Sequence, residues 1–306
     1  MTVSIIAHPD CLLHFAGASH PERSDRVKVV QQALTNYQFI SPVSFHEAPL
    51  ATLEQLKRVH APDYVDWLSS IAPTEGILMI DEDTYMNPYS WNAALRSAGA
   101  AILAVDLVMQ KKSRSAFCDV RPPGHHAEYD RAMGFCFFNN VAVGVAHAME
   151  QYQIERAAII DFDVHHGNGT QNIFQYNSRV LLCSSFEHPF YPGYDETMDN
   201  EHILNVPLVA GTTGIEYRER VQAAWFDKIA AFAPQIIFFS AGFDAHERDP
   251  IGELKLTVND YIWITKQIAA MAKKHCEGRM VSLLEGGYNL EALAECVPAH
   301  VNAMMD

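Results

Sequence analysis

The stretch Ala157-Ala-Ile-Ile-Asp161-Phe-Asp163-Val-His165-His-Gly decides the fold of this 306-residue chain. Its apolar start, Ala157–Asp161, is typical of a strand buried on both faces, and ligand-type residues follow where the strand ends. In extended chain, residues two apart point to the same side, so Asp161, Asp163 and His165 can face one centre. The alternative is a helix N-cap followed by a loop, because Asp and Gly are common at strand exits.

Similar apolar runs and helical spacings alternate along the chain. The other predicted strands are Val3–Ala7, Ser115–Asp119, Val180–Ser184, Gln235–Ser240 and Arg279–Leu284. The predicted helices are Ser90–Gln110, Asn139–Tyr152, Ile215–Ala231 and Val258–His275. This alternation predicts an α/β fold with a single open, mostly parallel sheet and helices on both faces. Residues 20–88 are predicted to be helical and loop-rich, and the absence of linkers favours a single domain over residues 1–306.

The composition indicates a globular protein with an acidic surface. Hydrophobic residues make up 49% of the chain and charged residues 19%, so the chain has enough apolar residues for a core and disorder is disfavoured. The net charge of -15 argues against direct binding to nucleic acid or to an anionic membrane. An acidic surface would tolerate cationic substrates such as lysine-rich peptides or polyamines.

Cysteine usage and the N-terminus indicate a soluble, cytoplasmic protein. The six cysteines form no Cys-x-x-Cys pair, so buried reduced thiols are predicted instead of a disulfide framework or a zinc knuckle. The first residues lack a basic region and predict a strand, not a signal peptide. No apolar stretch is expected to approach the roughly 20 residues that span a bilayer.

Potentially reactive residues follow four of the predicted strands. His125 and His126 follow one of them, Asp163 and His165 a second, Asp244 a third and Tyr288 a fourth. Ligands of open parallel sheets bind beyond the carboxyl ends of the strands. These residues are therefore predicted to converge on one active site at that edge.

The residue types at this edge predict metal-assisted chemistry. Asp163, His165 and Asp244 suit zinc, although iron(II), cobalt or manganese remain open because ligand type alone does not fix the metal. Asp161 ends a buried strand and more plausibly orients a neighbouring ligand or base than binds the metal.

The histidine pair and Tyr288 each have a second interpretation. His125 and His126 are either ordinary loop residues or a base and acid near neutral pH, and the preceding Pro-Pro-Gly stiffens their approach. Tyr288 either packs or donates its hydroxyl to a developing oxyanion, which the two preceding glycines would permit. The sequence contains no Gly-x-Ser-x-Gly elbow, P-loop or His-Glu-x-x-His motif that would indicate a different enzyme class.

With these motifs in order, the chain resembles the zinc-dependent histone deacetylase superfamily, which includes bacterial deacetylase-like amidohydrolases and acetylpolyamine deacetylases. The matching runs are Arg121-Pro-Pro-Gly-His-His-Ala, Gly134-Phe-Cys-Phe-Phe-Asn-Asn, Asp161-Phe-Asp-Val-His-His-Gly-Asn-Gly-Thr, Ala241-Gly-Phe-Asp-Ala and Glu285-Gly-Gly-Tyr-Asn-Leu. The similarity covers essentially the whole chain. The family fold is an open sheet of arginase type with its active site at the C-terminal ends of the strands.

The resemblance implies a role for each matching residue. Its zinc ligands would be Asp163, His165 and Asp244. The catalytic residues would be His125, His126 and Tyr288, with Asp161 backing His125 and Asn168 backing His126. Some members carry Asp where Asn168 stands, so the likeness is closer to the class II branch, and the pKa of His126 should be less elevated than beside a carboxylate.

The resemblance also implies a substrate tunnel and a second ion. Tunnel and rim residues would be Gly134, Phe135, Tyr191, Ile251 and Asp83, and Tyr191 stands where many relatives carry Phe. A structural potassium ion would be held by side-chain or backbone oxygens of Asp161, Asp163, His165, Ser184 and Ser185. The cofactors expected are thus one catalytic Zn²⁺ and one K⁺.

The implied activity is hydrolysis of the amide of acetyl-lysine, in a protein or peptide, or of a related acylated amine. An acetylpolyamine amidohydrolase is the first alternative, although Ile251 stands where one polyamine-selective branch carries Glu. An arginase-like ureohydrolase would need more bridging carboxylates for two manganese ions, and a non-catalytic acyl-lysine binder would not need the full residue set. The expected partner is the acylated substrate, with no nucleic acid and no membrane, and a homo-oligomer is an open option.

Overall fold

The protein is described by a computed structural model over residues 2–194 and 199–306. Its strands are β1 Val3–Ala7, β2 Val43–Glu47, β3 Leu78–Met79, β4 Tyr85–Met86, β5 Ser115–Cys118, β6 Ala157–Asp161, β7 Val180–Glu187, β8 Ile203–Leu208, β9 Ile236–Ala241 and β10 Met280–Leu284. Its helices are α1 Asp10–Leu13, α2 Asp25–Asn36, α3 Leu53–Leu56, α4 Pro62–Ser70, α5 Ser90–Met109, α6 Asn140–Tyr152, α7 Asn168–Phe174, α8 Gly214–Phe232, α9 Val258–His275 and α10 Leu290–Ala303.

The main sheet, as described, has eight strands in the order β2-β1-β5-β10-β9-β6-β7-β8. All of its pairings are parallel, and a separate two-stranded antiparallel ribbon joins β3 to β4. The predicted α/β class with an open, mostly parallel sheet is therefore confirmed. The prediction from sequence missed both edge strands of this sheet, β2 and β8, and the helices α7 and α10. The region 20–88, predicted to be helical and loop-rich, contains helices but also β2, β3 and β4.

Helices cover both faces of the sheet because alternate strand residues point to opposite sides. In β6, Ala157 and Ile159 belong to one apolar core together with α5 and α6. Ala158 and Ile160 belong to the other, together with α2, α8, α9 and α10. All six cysteines are buried and free, as predicted from their spacing.

Helix α5 corrects one prediction. It has 20 residues and is long and apolar enough to cross a membrane by length and composition, so the expectation that no stretch approaches that length was wrong. In the fold, 72% of its apolar window is buried, and the helix packs against α6 and β5. Its apolar composition is accounted for by this burial on several sides at once.

The strand order explains how the reactive segments meet. Strands β5, β10, β9 and β6 are consecutive neighbours in the sheet, and they are the four strands that the histidine pair, Tyr288, Asp244 and Asp163 follow. Because neighbouring strands lie about 4.8 Å apart, segments that leave them on the same edge come within contact distance.

Candidate active site

Asp163, His165 and Asp244 form a buried cluster in which one ligand atom from each lies within 4.8 Å of the others. His165 Nδ1 lies 2.9 Å from Asp163 Oδ1 and 3.3 Å from Asp244 Oδ2. Burial lowers the pKa of His165, but the two carboxylates outweigh it and raise this pKa to about 10. The two carboxylates therefore favour a positive charge between them, as a proton on His165 or a bound metal would supply.

The donor set and its surroundings fit a metal of zinc type. Two carboxylates and one imidazole are ligands that zinc accepts, and three protein ligands leave one position for water or substrate. Asp244 Oδ2 is buried and, although His165 Nδ1 lies 3.3 Å away, it accepts no well-aligned hydrogen bond from the described residues. A Cβ atom at Gly286 would lie 1.9 Å from this oxygen, and one at Gly242 would lie 2.0 Å from Asp163 Oδ2. Only glycine lets the backbone approach the cluster so closely.

The histidine pair lies beside this cluster, with ring centroids 4.0 Å apart. His125 Nδ1 lies 3.0 Å from Asp161 Oδ2, and His126 Nδ1 lies 2.8 Å from Asn168 Oδ1. Since both partner oxygens are acceptors, both Nδ1 atoms carry the proton. The two Nε2 atoms therefore remain available to the substrate. His125 Nε2 lies 3.7 Å from Asp163 Oδ1.

The two histidines have opposite pKa shifts. For His125, burial lowers the pKa, but the carboxylates of Asp163 and Asp161 raise it well above its ordinary value. For His126, burial and the nearby charges of His125 and His165 hold the pKa well below its ordinary value. The hydrogen bond with Asn168 opposes this lowering of the His126 pKa but does not outweigh it. Without a metal in the cluster, these shifts favour a protonated His125 and an unprotonated His126.

A buried glutamate holds the turn that carries the pair. Glu285 Oε2 accepts hydrogen bonds from Gly124 N (2.7 Å) and His125 N (3.1 Å), and Glu285 Oε1 accepts one from Ser240 Oγ at 3.1 Å. Burial raises the pKa of Glu285 to about 7. The sequence did not single out this residue, although it begins the Glu-Gly-Gly-Tyr run.

Two arginines anchor the same region and were also missed. Arg121 donates to both carboxylate oxygens of Glu22 at 2.7 Å, and both residues are buried. Arg26 donates to Gly287 O at 2.6 Å and to Glu285 O at 2.5 Å. Arg121 begins the Arg-Pro-Pro-Gly-His-His run, so this motif could have pointed to it. Arg26 lies outside all of the motifs identified in the sequence.

Tyr288 enters the site on a turn that needs glycine, since φ at Gly287 is +116°. The Arg26 guanidinium lies 4.9 Å from the Tyr288 ring centroid. Burial raises the pKa of Tyr288 well above its ordinary value, despite the opposing effect of Arg26. The phenol is therefore neutral and can donate its proton in a hydrogen bond.

A cavity of about 200 Å³ opens above these groups. All five predicted substrate residues line it, together with Pro123, Phe190 and Gly286, which the sequence did not single out; the five are Asp83, Gly134, Phe135, Tyr191 and Ile251. The Phe135 ring lies 6.1 Å from that of Tyr288, and the Tyr191 ring lies 5.2 Å from that of His126. Asp83 Oδ1 accepts hydrogen bonds from Gly134 N at 3.0 Å and from Thr84 Oγ1 at 2.9 Å.

The residues predicted to hold potassium also lie together, behind the zinc-type cluster. Asp161 pairs with Ser184 across β6 and β7, and Ser185 Oγ lies 3.5 Å from Asp161 O. Asp161 Oδ1 accepts a hydrogen bond from Asp163 N at 3.1 Å. Ser184 Oγ is buried and lacks a hydrogen-bond partner within the described ranges.

Known proteins share this architecture. The family described as "Histone deacetylase domain" matches residues 20–304. A "Probable deacetylase" of Archaeoglobus fulgidus is 38% identical over 299 residues, which are 95% of this chain and 82% of that protein. A "Histone deacetylase-like amidohydrolase" of Pseudomonas aeruginosa is 34% identical over 281 residues, which are 90% of this chain and 74% of that protein.

A solved structure gives the same result in three dimensions. The structure titled "Crystal Structure of HDA15 HD domain" superposes with a TM-score of 0.91 at 32% sequence identity, covering 99% of this chain and 88% of that one. The resemblance inferred from the motifs is confirmed, and so is the fold type that it implied. The chain belongs to the histone deacetylase family, whose members are deacetylases and related amidohydrolases.

Proposed function

We propose that this protein is a zinc-dependent deacetylase that hydrolyses the amide of acetyl-lysine in peptides or proteins, or of a related acylated amine. The observation that carries the proposal is the buried cluster of Asp163, His165 and Asp244 next to two histidines of opposite pKa shift. His165 and both of these histidines line one cavity. Hydrolysis of an amide needs a site for an activated water, a base and an acid.

The cavity suits a linear acylated amine. Its walls include the aromatic rings of Phe135 and Tyr191 and the aliphatic side chain of Ile251, and His125, His126 and Tyr288 line its base. Apolar walls with a few convergent polar groups are typical of ligand pockets. An alkyl stem would pack against the walls, and the acyl group would meet the polar base.

Asp163, His165 and Asp244 would hold the zinc. When bound there, zinc supplies Lewis-acid polarisation of the acyl carbonyl and lowers the pKa of a coordinated water to about 7. Tyr288, as a neutral phenol, donates a hydrogen bond to the carbonyl oxygen as negative charge develops on it.

The histidine pair divides the proton chemistry. His126 is a free base, so its Nε2 accepts a proton from the attacking water and later returns it to the departing amine nitrogen. Asp163 and Asp161 favour protonated His125, so His125 places a positive charge beside the developing oxyanion without giving up its proton. Asn168 holds the Nδ1–H of His126 and thereby fixes the tautomer with Nε2 unprotonated.

Potassium binding is proposed on the geometry of Asp161, Asp163, His165, Ser184 and Ser185. Two observations support it: Ser184 Oγ is buried without a partner, and Asp161 and Ser184 are cross-strand neighbours. A monovalent cation there would satisfy the serine and offset the charge of the buried aspartates.

Acetylpolyamine hydrolysis is the second candidate, and one observation favours it. The Asp83 carboxylate lines the cavity of a chain whose net charge is -15, so a substrate with free ammonium groups would be attracted to the site. Ile251, however, offers no charge to such a substrate.

The test is a side-by-side rate assay of the zinc-loaded protein with an acetyl-lysine peptide and with acetylated putrescine or spermidine. Turnover of the peptide that Tyr288→Phe lowers by about 100-fold, as for removal of an oxyanion donor, supports the proposal. Preference for the polyamine selects the second candidate. No turnover of either substrate by protein with about one zinc per chain would contradict both.

A further inference from the structure

The segment between the third ligand, Asp244, and helix α9 contains a buried aspartate that the reaction above does not use. Asp249 is 8% exposed, and its carboxylate accepts three backbone hydrogen bonds. Asp249 Oδ2 accepts from Tyr288 N at 2.7 Å and from Asn289 N at 3.0 Å, and Asp249 Oδ1 accepts from Ile251 N at 3.0 Å. One side chain thus joins the turn that carries Tyr288 to the segment that carries Ile251.

We propose that Asp249 is a positioning residue for the reaction proposed above: its carboxylate fixes where the Tyr288 hydroxyl stands relative to the cavity wall at Ile251. The proposal rests on the proposed function, since it assigns a purpose to Asp249 only if Tyr288 acts on the acyl carbonyl.

Two side chains hold the turn that carries Tyr288, the Arg26 guanidinium on one side and the Asp249 carboxylate on the other. Arg26 donates to the carbonyl oxygens of Glu285 and Gly287, so it fixes the acceptors of the turn. Asp249 binds the N–H groups on the other side. With φ at Gly287 of +116°, the turn has backbone freedom that an ordinary residue would lack. Removal of either anchor would let the ring shift along the cavity.

A purely structural explanation is that Asp249 supports the N-terminus of α10. That helix already has a cap, because the Asn289 side chain accepts a hydrogen bond from Ala292 N at 2.9 Å. The Asp249 bonds go to Tyr288 and Asn289, which precede the first turn of the helix. They therefore order the turn more directly than the helix.

The carboxylate is ionised at neutral pH, which suits an acceptor of three N–H groups. Burial and the nearby Asp244 raise the pKa of Asp249 to about 6, while the N–H groups of Tyr288, Ile251 and Asn289 oppose this shift. Asparagine has the same shape but only one acceptor oxygen. In Asp249→Asn, the amide nitrogen faces either the Tyr288 side or the Ile251 side, and the N–H groups on that side lose their acceptor.

The first experiment measures kcat and KM of zinc-loaded Asp249→Asn with the better substrate from the rate assay. We expect kcat to fall by about 10- to 100-fold, because a shift of about 1 Å at a reacting group costs up to that much. KM should change by less than about threefold, since the cavity walls remain. Zinc content should stay at the wild-type value.

The matched control is Asp260→Asn. Asp260 is also buried, and it accepts hydrogen bonds from Thr257 N and Thr257 Oγ1, both at 2.8 Å, at the start of α9. The substitution therefore weakens the same kind of contact at another helix start, and it also removes an ion pair with Arg218 at 2.7 Å. It should lower Tm like Asp249→Asn and leave kcat within about twofold of wild type. An equal loss of kcat in both variants would overturn the proposal.

A double-mutant cycle separates positioning from general damage. If Asp249 acts through the Tyr288 hydroxyl, Asp249→Asn should lower kcat by less than about twofold in a Tyr288→Phe background, because the group it positions is already missing. Equal losses in both backgrounds would overturn the proposal. So would wild-type kcat in Asp249→Asn.

Hydrogen exchange gives a readout that does not depend on activity. A peptide covering residues 285–290 should exchange faster in Asp249→Asn than in wild type and in Asp260→Asn, because a neutral amide oxygen holds the N–H groups of Tyr288 and Asn289 more weakly than the carboxylate does. Unchanged exchange would contradict the proposal even if kcat fell. Absence of turnover by the zinc-loaded wild type would contradict the proposed function and with it the catalytic purpose of Asp249, while faster exchange would still report a carboxylate that holds the turn.

Discussion

The two sides of the histidine pair differ in one respect that sets their chemistry. On the His125 side, Asp161 lies 3.0 Å from Nδ1, and Asp163 lies 3.7 Å from Nε2. On the His126 side, Asn168 supplies an amide oxygen at 2.8 Å and Tyr191 supplies an aromatic ring. Burial lowers the pKa of both imidazoles, so the neighbouring charges decide which one keeps its proton.

This difference teaches that two adjacent histidines in one site can differ in protonation, one carrying a positive charge and the other acting as a base. The carboxylates of Asp163 and Asp161, which lie nearest His125, separate them. The separation is self-reinforcing, because a protonated His125 further lowers the pKa of His126. Substitutions at five positions test the difference, in order of decreasing expected effect: His126, His125, Asp161, Asn168 and Tyr191.

Replacement of His126 should have the largest effect. His126→Ala removes the proposed base, and general acid–base catalysis is worth about 100- to 10,000-fold, so kcat/KM should fall by about 1,000-fold. His125→Ala removes only a stabilising charge and should cost about 100-fold. Rate assays with matched zinc content check the ranking. A larger loss for His125→Ala would reverse the assignment of the two roles.

Asp161→Asn should have a smaller effect on rate and a visible effect on its pH profile. Without this carboxylate the pKa of His125 falls, and His126 then loses a neighbouring positive charge, so its own pKa rises. The acid limb of kcat/KM should therefore move to higher pH, with about a tenfold loss at neutral pH. Wild-type protein in the same buffers is the control, and a limb that stays in place or moves to lower pH would contradict the coupling.

Asn168→Asp makes the two sides alike and should cost less than about tenfold near pH 8. A carboxylate at this position favours the charged imidazole, so the pKa of His126 rises and the acid limb again moves to higher pH. Asp and Asn have the same shape, so the pH dependence of kcat/KM measured beside that of wild type isolates the charge. Identical limbs in Asn168→Asp and wild type would show that charge at residue 168 has no control over His126.

Tyr191→Phe should have the smallest effect. It removes only the hydroxyl from a ring that lies 5.2 Å from His126, so kcat should stay within about twofold and KM within about threefold. Steady-state kinetics with the acetyl-lysine peptide and with a longer acyl chain check this. A tenfold change in kcat would mean that the aromatic side of the pair does more than line the cavity.

The fold could be predicted from the sequence where burial left a pattern. Strands β5, β6, β9 and β10 are apolar runs covered on both faces, and their ends carry the reactive residues. The edge strands β2 and β8 contain residues such as Ser44, His46 and Asn205, because one side of an edge strand faces solvent and its apolar signal is weak. Helix α10 contains Pro298, which disguises its helical spacing.

The site was predictable to the extent that side chains carry the chemistry. Asp163, His165 and Asp244 have residue types that indicate metal ligands, and the structure brings them together as expected. Glu285 and Asp249 act on backbone N–H groups, and Glu285 reaches Gly124 across 161 positions of sequence. Such contacts depend on the sheet order and leave no local pattern, so only the folded chain reveals them.

The most direct test of the central claim is the protonation state of each histidine in the zinc-loaded protein at neutral pH. Nitrogen NMR of ¹⁵N-histidine-labelled protein, assigned with His125→Ala and His126→Ala, reports this for both rings. We expect His125 to carry protons on Nδ1 and Nε2, and His126 to carry one on Nδ1 alone. Two neutral rings, or a protonated His126 beside a neutral His125, would contradict the division of labour on which the proposed reaction depends.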